Sequence, residues 1–522
     1  MPMPTTGMHV FPVLRRNEKA KYVDKTDLLY VLCDDVDQQL FISRPRRFGK
    51  SLMLSTLKAM FECRRELFKG LAIDSLPWEW DKPFPVVDFT MASAKGTTYE
   101  EFRLSLEGLV RKLCGEFSYD YDKTVPISVN FENLIQAVAE KSERKQVVVL
   151  IDEYDEPVAE FLDDLPTLNR VRADLHEFYE KLKINAGAIR FLMMTGVTKL
   201  TKLSIFSGLN HLKDRSMDPC FATLLGYTRE ELDGALKENV EAFGEMNGMD
   251  FAAAKAKLLE WYDGYRFSPD SEAKVCNPVS LGSALGSGKL ANYWESTGAS
   301  RLVLNRLAKA DKTIIDYEAA TVRPIALDVC DAETLPVEAL LYQGGYLSIN
   351  GVRKSGMLEL GVPNREIRSS LRDGYIADVL ASAAEDWFAR LDDIRTEVEE
   401  RGIETFLGRN LRALFAKIPH EWRIGCENEA KRYFLLSLSL LGADVSGERQ
   451  SARGRADAIL KTGGGVYVFE FKYGGTAREA IDQARKKDYA GPWLDGDPPV
   501  FLVGVNYDPE KRGIDDPIVE RA

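Results

Sequence analysis

The sequence predicts an α/β protein in more than one part: a parallel sheet with helices on both faces towards the N-terminus, and a smaller α/β unit at the C-terminal end. Three observations carry that prediction. Apolar strand-like runs alternate with amphipathic helical stretches from Gln39 to Met194. One run, Val147-Val148-Val149-Leu150-Ile151, is continuously apolar and β-branched, as suits a parallel strand buried on both faces. Near the other end, Ala456–Leu460 and Val466–Lys472 flank Lys461-Thr462-Gly463-Gly464-Gly465, turn chemistry between two strands.

At 522 residues the chain has room for about three to four domains of ordinary size. Its 45% hydrophobic and 29% charged residues describe a globular protein, neither disordered nor fibrous. The apolar runs fall far short of the ~18 residues that span a bilayer, and the N-terminus lacks a charged-then-apolar leader. A cytoplasmic protein with no membrane partner is therefore expected. Seven cysteines (33, 63, 114, 220, 276, 330 and 426) stand singly beside only four histidines, which argues against a zinc site or a disulfide framework. Each is expected to be a small buried hydrophobe. The net charge of −12 argues against a surface coated for nucleic acid but leaves room for one basic groove.

Taken in order, Asp24 or Thr26 caps a short helix to Cys33. Gln39–Ser43 is the first strand of the sheet, and Ser51–Phe61 spaces its apolar residues as a buried helix does. Between them lies Arg44-Pro45-Arg46-Arg47-Phe48-Gly49-Lys50-Ser51. Strand, loop and helix in that order form the setting of a phosphate-binding loop. Free N–H groups and the helix dipole attract phosphate, Lys50 reaches the outer phosphates, and the Ser51 hydroxyl ligates Mg²⁺. Arg44 stands where the full motif has its first glycine, and Arg44, Arg46 and Arg47 are expected to supply compensating positive charge. Candidate nucleotide contacts are thus Arg44, Arg46, Arg47, Phe48, Gly49, Lys50, Ser51 and Leu52. A basic helix start beside a surface strand is the plain alternative.

Phe84–Phe89 reads as a second strand, and Tyr99–Phe117 and Phe131–Ser142 as amphipathic helices. The run Val147–Ile151 then ends in Asp152-Glu153. Acids at the carboxyl end of such a strand lie where open α/β sheets bind ligands, so Asp152 could hold the Mg²⁺ water shell and Glu153 could orient or deprotonate the attacking water. Solvated charge capping the sheet is the alternative. Leu168–Lys183 reads as a helix leading to the strand Ile189–Met194, closed by Thr195-Gly196. Thr195 could sense the nucleotide, or its hydroxyl could satisfy a loop N–H.

From Pro219 the pattern turns helical, with Thr228–Glu241, Phe251–Trp261 and Leu281–Leu285. Val337–Tyr342, Tyr346–Ile349 and Gly356–Leu360 read as a helix and two strands around a turn, a small winged unit. Residues 370–418, including Asp392–Arg401, form a charge-rich helical bridge to the last part.

In that last part, a turn centred on Gly463 or just beyond sets Asp457 opposite Phe469 or Glu470, so two carboxylates converge. Period-two alternation puts Glu470 and Lys472 on one face and Phe469 and Phe471 on the other. Asp457, Glu470 and the Phe471 carbonyl offer hard oxygen ligands for Mg²⁺ or Mn²⁺. Lys472 would orient water or stabilise charge on a scissile phosphate. The flanking helices, Glu427–Leu441 with Glu429 and Ala477–Tyr489 with Gln483 and Lys487, can each face the hairpin. From Val445 to Ala490, nine Lys or Arg stand against six Asp or Glu, a local excess that suits phosphate. An edge hairpin with a surface ion pair between Glu470 and Lys472 is the alternative.

With these stretches in view, the chain resembles a bacterial and archaeal family in which an AAA-like ATPase domain is fused to a C-terminal PD-(D/E)xK-superfamily nuclease domain. The likeness spans nearly the whole sequence. Its phrases are Tyr22–Thr26, Ser43–Ser51, Leu150–Asp155, Trp261–Phe267, Asn292–Gly298 and Phe469–Lys472. The resemblance implies that Arg44 is a family trait and that Asp457, Glu470 and Lys472 match the nuclease motif, with Glu429 and Gln483 at its flanking helical positions. Ala456 replaces the nominal proline of that motif.

The expected architecture is a P-loop ATPase domain (1–215), a helical lid (216–325), a winged-helix-like region (326–370), a helical linker (371–420) and a restriction-endonuclease-like domain (421–522). The expected function is metal-dependent cutting of nucleic acid, DNA ahead of RNA, under the control of Mg·ATP, with homo-oligomers allowed. Arg46, Arg47 and Arg266 are candidates for an arginine acting in trans. Two rivals stay open: a nucleotide-gated switch or scaffold whose C-terminal fold binds DNA or a protein without cleavage, and an ATPase acting on a non-nucleic-acid phosphate.

Overall fold

The computed structural model describes residues 2–162, 164–199, 212–294, 320–328, 336–371, 398, 403–416, 424–439, 444–447, 450–451, 454–462, 464–494 and 498–522. Contacts divide the chain into two units, the first formed by Met1–Val303 with Ala320–Ser369 and the second including the described residues from Ser370 onward. Of the charge-rich bridge, the stretch Asp392–Arg401 lies almost wholly outside the described residues.

The first unit is organised by a five-stranded sheet. Its strands are β1 (Gln39–Ser43), β2 (Val86–Thr90), β3 (Val147–Asp152), β4 (Ile189–Gly196) and β5 (Lys213–Asp214), in the spatial order β2-β3-β4-β1-β5. Every pairing is parallel. The predicted central run becomes β3, all six residues of which are buried. Val147, Val149 and Ile151 join a core with the helices α3 (Tyr99–Glu116), α4 (Ile127–Lys141) and α5 (Leu165–Ile184). Val148 and Leu150 are buried on the opposite face, where the P-loop helix α2 (Lys50–Phe61) packs on β3. Each buried aliphatic side chain contributes roughly 1.5–3 kcal/mol, so this strand alone anchors the sheet. Ahead of the sheet, α1 (Thr26–Cys33) is entered through Asp24, whose Oδ1 accepts from the Thr26 amide and hydroxyl at 2.9 and 2.7 Å.

The expected helix Thr228–Glu241 is two helices, α6 (Arg229–Asp233) and α7 (Lys237–Met246). Thr228 and Glu231 form a capping box, and Gly234 ends the first helix by stepping out of helical geometry. Next come α8 (Phe251–Tyr262) and α9 (Pro278–Ser287). The winged reading gains a strand: β6 (Thr321–Val322), β7 (Ser348–Val352) and β8 (Leu358–Gly361) form an antiparallel sheet in the order β6-β8-β7, preceded in the chain at β7 by α10 (Val337–Gln343).

The second unit is a six-stranded sheet with helices on both faces. Among them is the helical segment 403–416, which the sequence reading placed in the linker; its Ile403, Leu411 and Phe415 join the core on the face of Phe469 and Phe471. The strands β9 (Asp444–Gly447), β10 (Ala458–Thr462), β11 (Gly465–Tyr473) and β12 (Val500–Asp508) follow one another in space, and β12 also pairs with β13 (Gly513–Ile514) and β14 (Ile518–Arg521). The hairpin β10–β11 has the register Ala458 opposite Phe469, which sets Asp457 and Glu470 at the next step of the ladder. One face, with Phe469 and Phe471, packs on Phe434 and Leu438 of α11 (Glu427–Ser439). The other, with Val466 and Val468, packs on Ile481 and Ala484 of α12 (Ala477–Lys486). The face of Glu470 is thus not a solvated charged face: Glu470 itself is only 3% exposed.

β11 and β12 are parallel, joined through α12, and sequence reasoning did not identify β12 at all. A Cβ on Gly504 of β12 would lie 2.2 Å from the Ala477 carbonyl oxygen, so glycine lets α12 settle directly on the sheet. Of the cysteines, Cys33, Cys114 and Cys276 are buried, but Cys63 is half-buried and Cys220 and Cys426 are exposed, contrary to expectation: Cys220 lies in the short 3-10 turn Pro219–Phe221 and Cys426 just before a helix start.

Candidate functional sites

The loop Arg44–Gly49 leaves β1 at its carboxyl end and opens α2. Gly49 is the helix N-cap in the left-handed region at φ +92°, a conformation open to glycine. Arg44, expected as a phosphate contact, turns away from the loop mouth. Its guanidinium donates to the Ser43, Ser216 and Phe221 carbonyls at 2.9, 2.6 and 3.2 Å and lies 4.2 Å over the Phe267 ring. Burial pushes its pKa down to about 10. Its role in this arrangement is a strut, and the charge lost from the loop mouth is not supplied by it.

Phe48 is also turned inward, edge-on to Tyr265 and Phe267 at 4.8 and 5.2 Å. The phrases Trp261–Phe267 and Asn292–Trp294 therefore build the floor under the loop, and buried Glu366 ties in the second by accepting from the Tyr293 and Trp294 amides at 2.8 and 3.0 Å. Residues 295–298 of that phrase lie outside the described residues. Arg46 is half-exposed and pairs with Glu156 at 3.2 Å, Arg47 is exposed, and Leu52 sits half-buried in the first turn of α2. Arg266 donates to the Ser268 and Pro269 carbonyls and pairs with Glu272, so its guanidinium is committed within its own loop.

Lys50 is buried, its ammonium donating to the Arg44 and Pro45 carbonyls at 2.8 and 2.9 Å. Burial holds it below the usual lysine range against the pull of Asp152 and Asp155. Ser51 Oγ donates to Asp152 Oδ2 at 2.5 Å, and Thr195 Oγ1 donates to Asp152 Oδ1 at 2.6 Å. The pairings β3–β4 and β4–β1 explain this meeting, since they align the carboxyl ends that carry Asp152, Thr195 and the loop. Glu153 has a left-handed backbone, φ +52°, and its carboxylate accepts from Thr90 Oγ1 at 2.9 Å, at the end of β2. Thr90 was not anticipated; its position at a strand end beside β3 was the available signal. Asp155 accepts from the Val197 and Thr198 amides and the Thr198 hydroxyl, tying the turn after β3 to the turn after β4. Ser51, Asp152, Glu153 and Thr195 thus form one hydrogen-bonded group beside a primary amine, an arrangement that can hold a phosphate and its cation.

In the second unit, Asp457 Oδ2 accepts from the Phe471 amide at 2.7 Å, and Glu470 lies beside it in the hairpin. Gln483 reaches in from α12: its amide donates to Glu470 Oε1, and its own oxygen accepts from Lys472 Nζ at 2.8 Å. Lys472 Nζ is also 3.3 Å from Glu470 Oε1. Burial first, and the neighbouring Asp457 charge second, push Glu470 up to about 7. Its second oxygen, Oε2, is buried with no hydrogen-bond partner among the described residues.

Glu429 does not join this group. Its carboxylate turns back to the Gly425 amide at 2.6 Å and closes the start of its own helix. The side chain that α11 delivers instead is Lys431, 2.6 Å from Asp457 Oδ1. Sequence reasoning missed it, although its position four residues after Glu427 marks the shared helix face.

Whether a divalent cation suits this site can be judged from the donors. Two converging carboxylates, one with an orphaned buried oxygen, are a hard-oxygen set that suits Mg²⁺ or Mn²⁺. Among the described residues no group of three or more His, Cys, Asp or Glu side chains is placed to hold a metal, so the remaining ligands would be backbone or water. No helix among the described residues is long and apolar enough to cross a membrane.

Comparison with known proteins finds a family for each of the two parts of the chain. Residues 5–206 match the family model described as predicted AAA-ATPase, and residues 426–516 match that of the PD-(D/E)XK nuclease superfamily. A protein of Azotobacter chroococcum mcd 1, named only as an uncharacterized protein in the vnfD 5′ region, is 30% identical over 532 aligned positions covering 98% of each chain. With the parallel sheet and its loop at one end and the acid-bearing hairpin between two helices at the other, the chain belongs to the family that joins a predicted AAA-ATPase domain to a C-terminal PD-(D/E)XK-superfamily nuclease domain.

Proposed function

We propose that this protein binds and hydrolyses ATP in its first unit and, under that control, cuts nucleic-acid phosphodiesters in its second, DNA ahead of RNA. The carrying observation is the buried, unpartnered Glu470 Oε2 beside Asp457, with Lys472 and Gln483 converging on the same carboxylate. A divalent cation held by Asp457, Glu470 and the Phe471 carbonyl would supply positive charge to the scissile phosphate and acidify its water. Lys472 orients the attacking water or steadies the developing phosphate charge, and Gln483 fixes Lys472 and Glu470 in place. In the first unit, Lys50 exchanges its two loop carbonyls for the outer phosphates of Mg·ATP. Ser51 and Asp152 would hold the Mg²⁺, Thr195 would report its occupancy, and Glu153, released from Thr90, would accept the proton of the attacking water.

The test compares wild type, Lys50→Ala and Asp457→Ala on labelled DNA and RNA with Mg²⁺ or Mn²⁺, with and without ATP. Cutting is expected in the wild type, lost in Asp457→Ala, and freed from ATP control or lost in Lys50→Ala. Metal-dependent cutting that survives Asp457→Ala would overturn the site, and robust ATP hydrolysis without cutting of any substrate would favour the nucleotide-gated switch.

A further inference from the structure

We infer that Lys431 is the resident counter-ion of the nuclease centre: its ammonium occupies the cation's place at Asp457 and must move aside for a divalent cation to bind. This rests on the metal-nuclease reading. Its ground is geometric. Asp457 Oδ2 is taken by the Phe471 amide at 2.7 Å, and Lys431 Nζ covers Oδ1 at 2.6 Å. On Glu470, Oε1 is engaged by Lys472 and Gln483, while Oε2 is buried without a partner among the described residues. A cation shared by the two carboxylates therefore finds an open oxygen on Glu470 but meets an ammonium at Asp457.

The two ammoniums offset part, but not all, of the burial penalty and of the repulsion between the two acids, since Glu470 is still raised by burial and by the Asp457 charge. Lys431 also has an alternative partner. Glu427, one turn earlier on α11, lies 3.2 Å from the same Nζ with its side chain 48% exposed. Rotation of the lysine side chain alone can hand the ammonium from Asp457 to Glu427 without leaving it unpaired. A monovalent cation would gain little by replacing a charge already present, whereas a divalent cation adds one. Lys431 thus sets both the affinity of the centre and its preference for divalent ions.

The test is calorimetric titration of the full chain with Mn²⁺, with Asp457→Ala as the blank, for wild type, Lys431→Met and Lys431→Arg. Removing the competing charge is expected to tighten Mn²⁺ binding about tenfold, while Lys431→Arg stays within about threefold of wild type. In thermal melting, Lys431→Met is expected to start lower without metal and gain more from Mn²⁺ than wild type. Unchanged or weaker Mn²⁺ binding by folded Lys431→Met would overturn the inference and leave the nuclease reading standing. Wild type that binds no Mn²⁺ above the blank would overturn both. Should Lys431→Met not fold, Lys431→Gln replaces it, with tighter binding supporting the inference and unchanged binding overturning it.

Discussion

Asp152, at the end of β3, takes hydrogen bonds from Ser51, Thr195 and the Glu153 amide, whereas Glu470, in the hairpin of the second unit, keeps one buried oxygen with no donor among the described residues. Both are acids at the heart of a candidate phosphate site, and their surroundings treat charge in opposite ways. Around Asp152, hydroxyls and an amide solvate the carboxylate, so a ligand there has partners to displace. Around Glu470, burial and the Asp457 charge penalise the carboxylate, and the penalty is relieved when a cation arrives. The first site is finished without its ligand. The second keeps one buried carboxylate oxygen unanswered among the described residues, which is the more direct sign of what it is built to receive.

Neutral isosteres test that contrast. The largest effects are on turnover: Asp152→Asn should lower ATP hydrolysis, and Glu470→Gln nucleic-acid cutting, each by at least ~10³-fold, about 4 kcal/mol of barrier. Glu470→Gln should leave ATP hydrolysis measurable in a coupled phosphate assay, and loss of both activities from that change in a folded protein would break the division into two sites.

Next in size is Arg44→Ala, which strips donors from three carbonyls and a cation from the Phe267 face. Unfolding in urea should show a loss of about 3 kcal/mol, little of it recovered by Arg44→Lys, because an ammonium cannot match the guanidinium fork. Full stability with nucleotide affinity lost would return Arg44 to the phosphate.

The smallest effect is the most discriminating. At pH 8 without metal, Asp152→Asn should destabilise by about 2 kcal/mol, since an amide repels one of the donors now bound to the carboxylate. Glu470→Gln should stabilise by a similar amount. Glu470 is raised from 4.5 to about 7, so the folded state holds a proton that the unfolded chain releases. Wild-type stability should therefore fall as pH rises from about 4.5 through about 7, at up to ~1.4 kcal/mol per pKa unit, and level off above. Denaturation curves of wild type and Glu470→Gln should converge at acid pH and separate above neutrality, and parallel curves would remove the contrast.

Much of the frame was legible because the relevant signals are local. The run Val147–Ile151, the strand-loop-helix around Lys50 and the glycine turn after Lys461 each determine their own geometry within a few residues. The hairpin fixes the step from Asp457 to Glu470 through turn length and alternation alone. What stayed hidden depends on how distant elements rotate against one another. Helical spacing allows Glu427, Glu429 or Lys431 to face the hairpin, and only the packing of Phe434 and Leu438 on Phe469 and Phe471 selects Lys431. Arg44 reads as positive charge in a phosphate loop, but its direction is set by carbonyls about 170 residues further along the chain. β12 was a missed local signal, the apolar run Val500–Val503 continued past Gly504, weaker than the β-branched run that became β3.

The sharing of one hairpin by Asp457 and Glu470 has a consequence for the order of folding. A hairpin closes locally and early, whereas α11 and the parallel pairing of β11 with β12 are brought in across longer connecting segments. The two acids are thus brought side by side before Lys431 from α11 and Gln483 from α12 arrive to compensate them. With the hairpin formed first, repulsion between the two acids falls on that early step and its relief on the later docking, so the acid pair slows folding, while its counter-ions mostly slow unfolding.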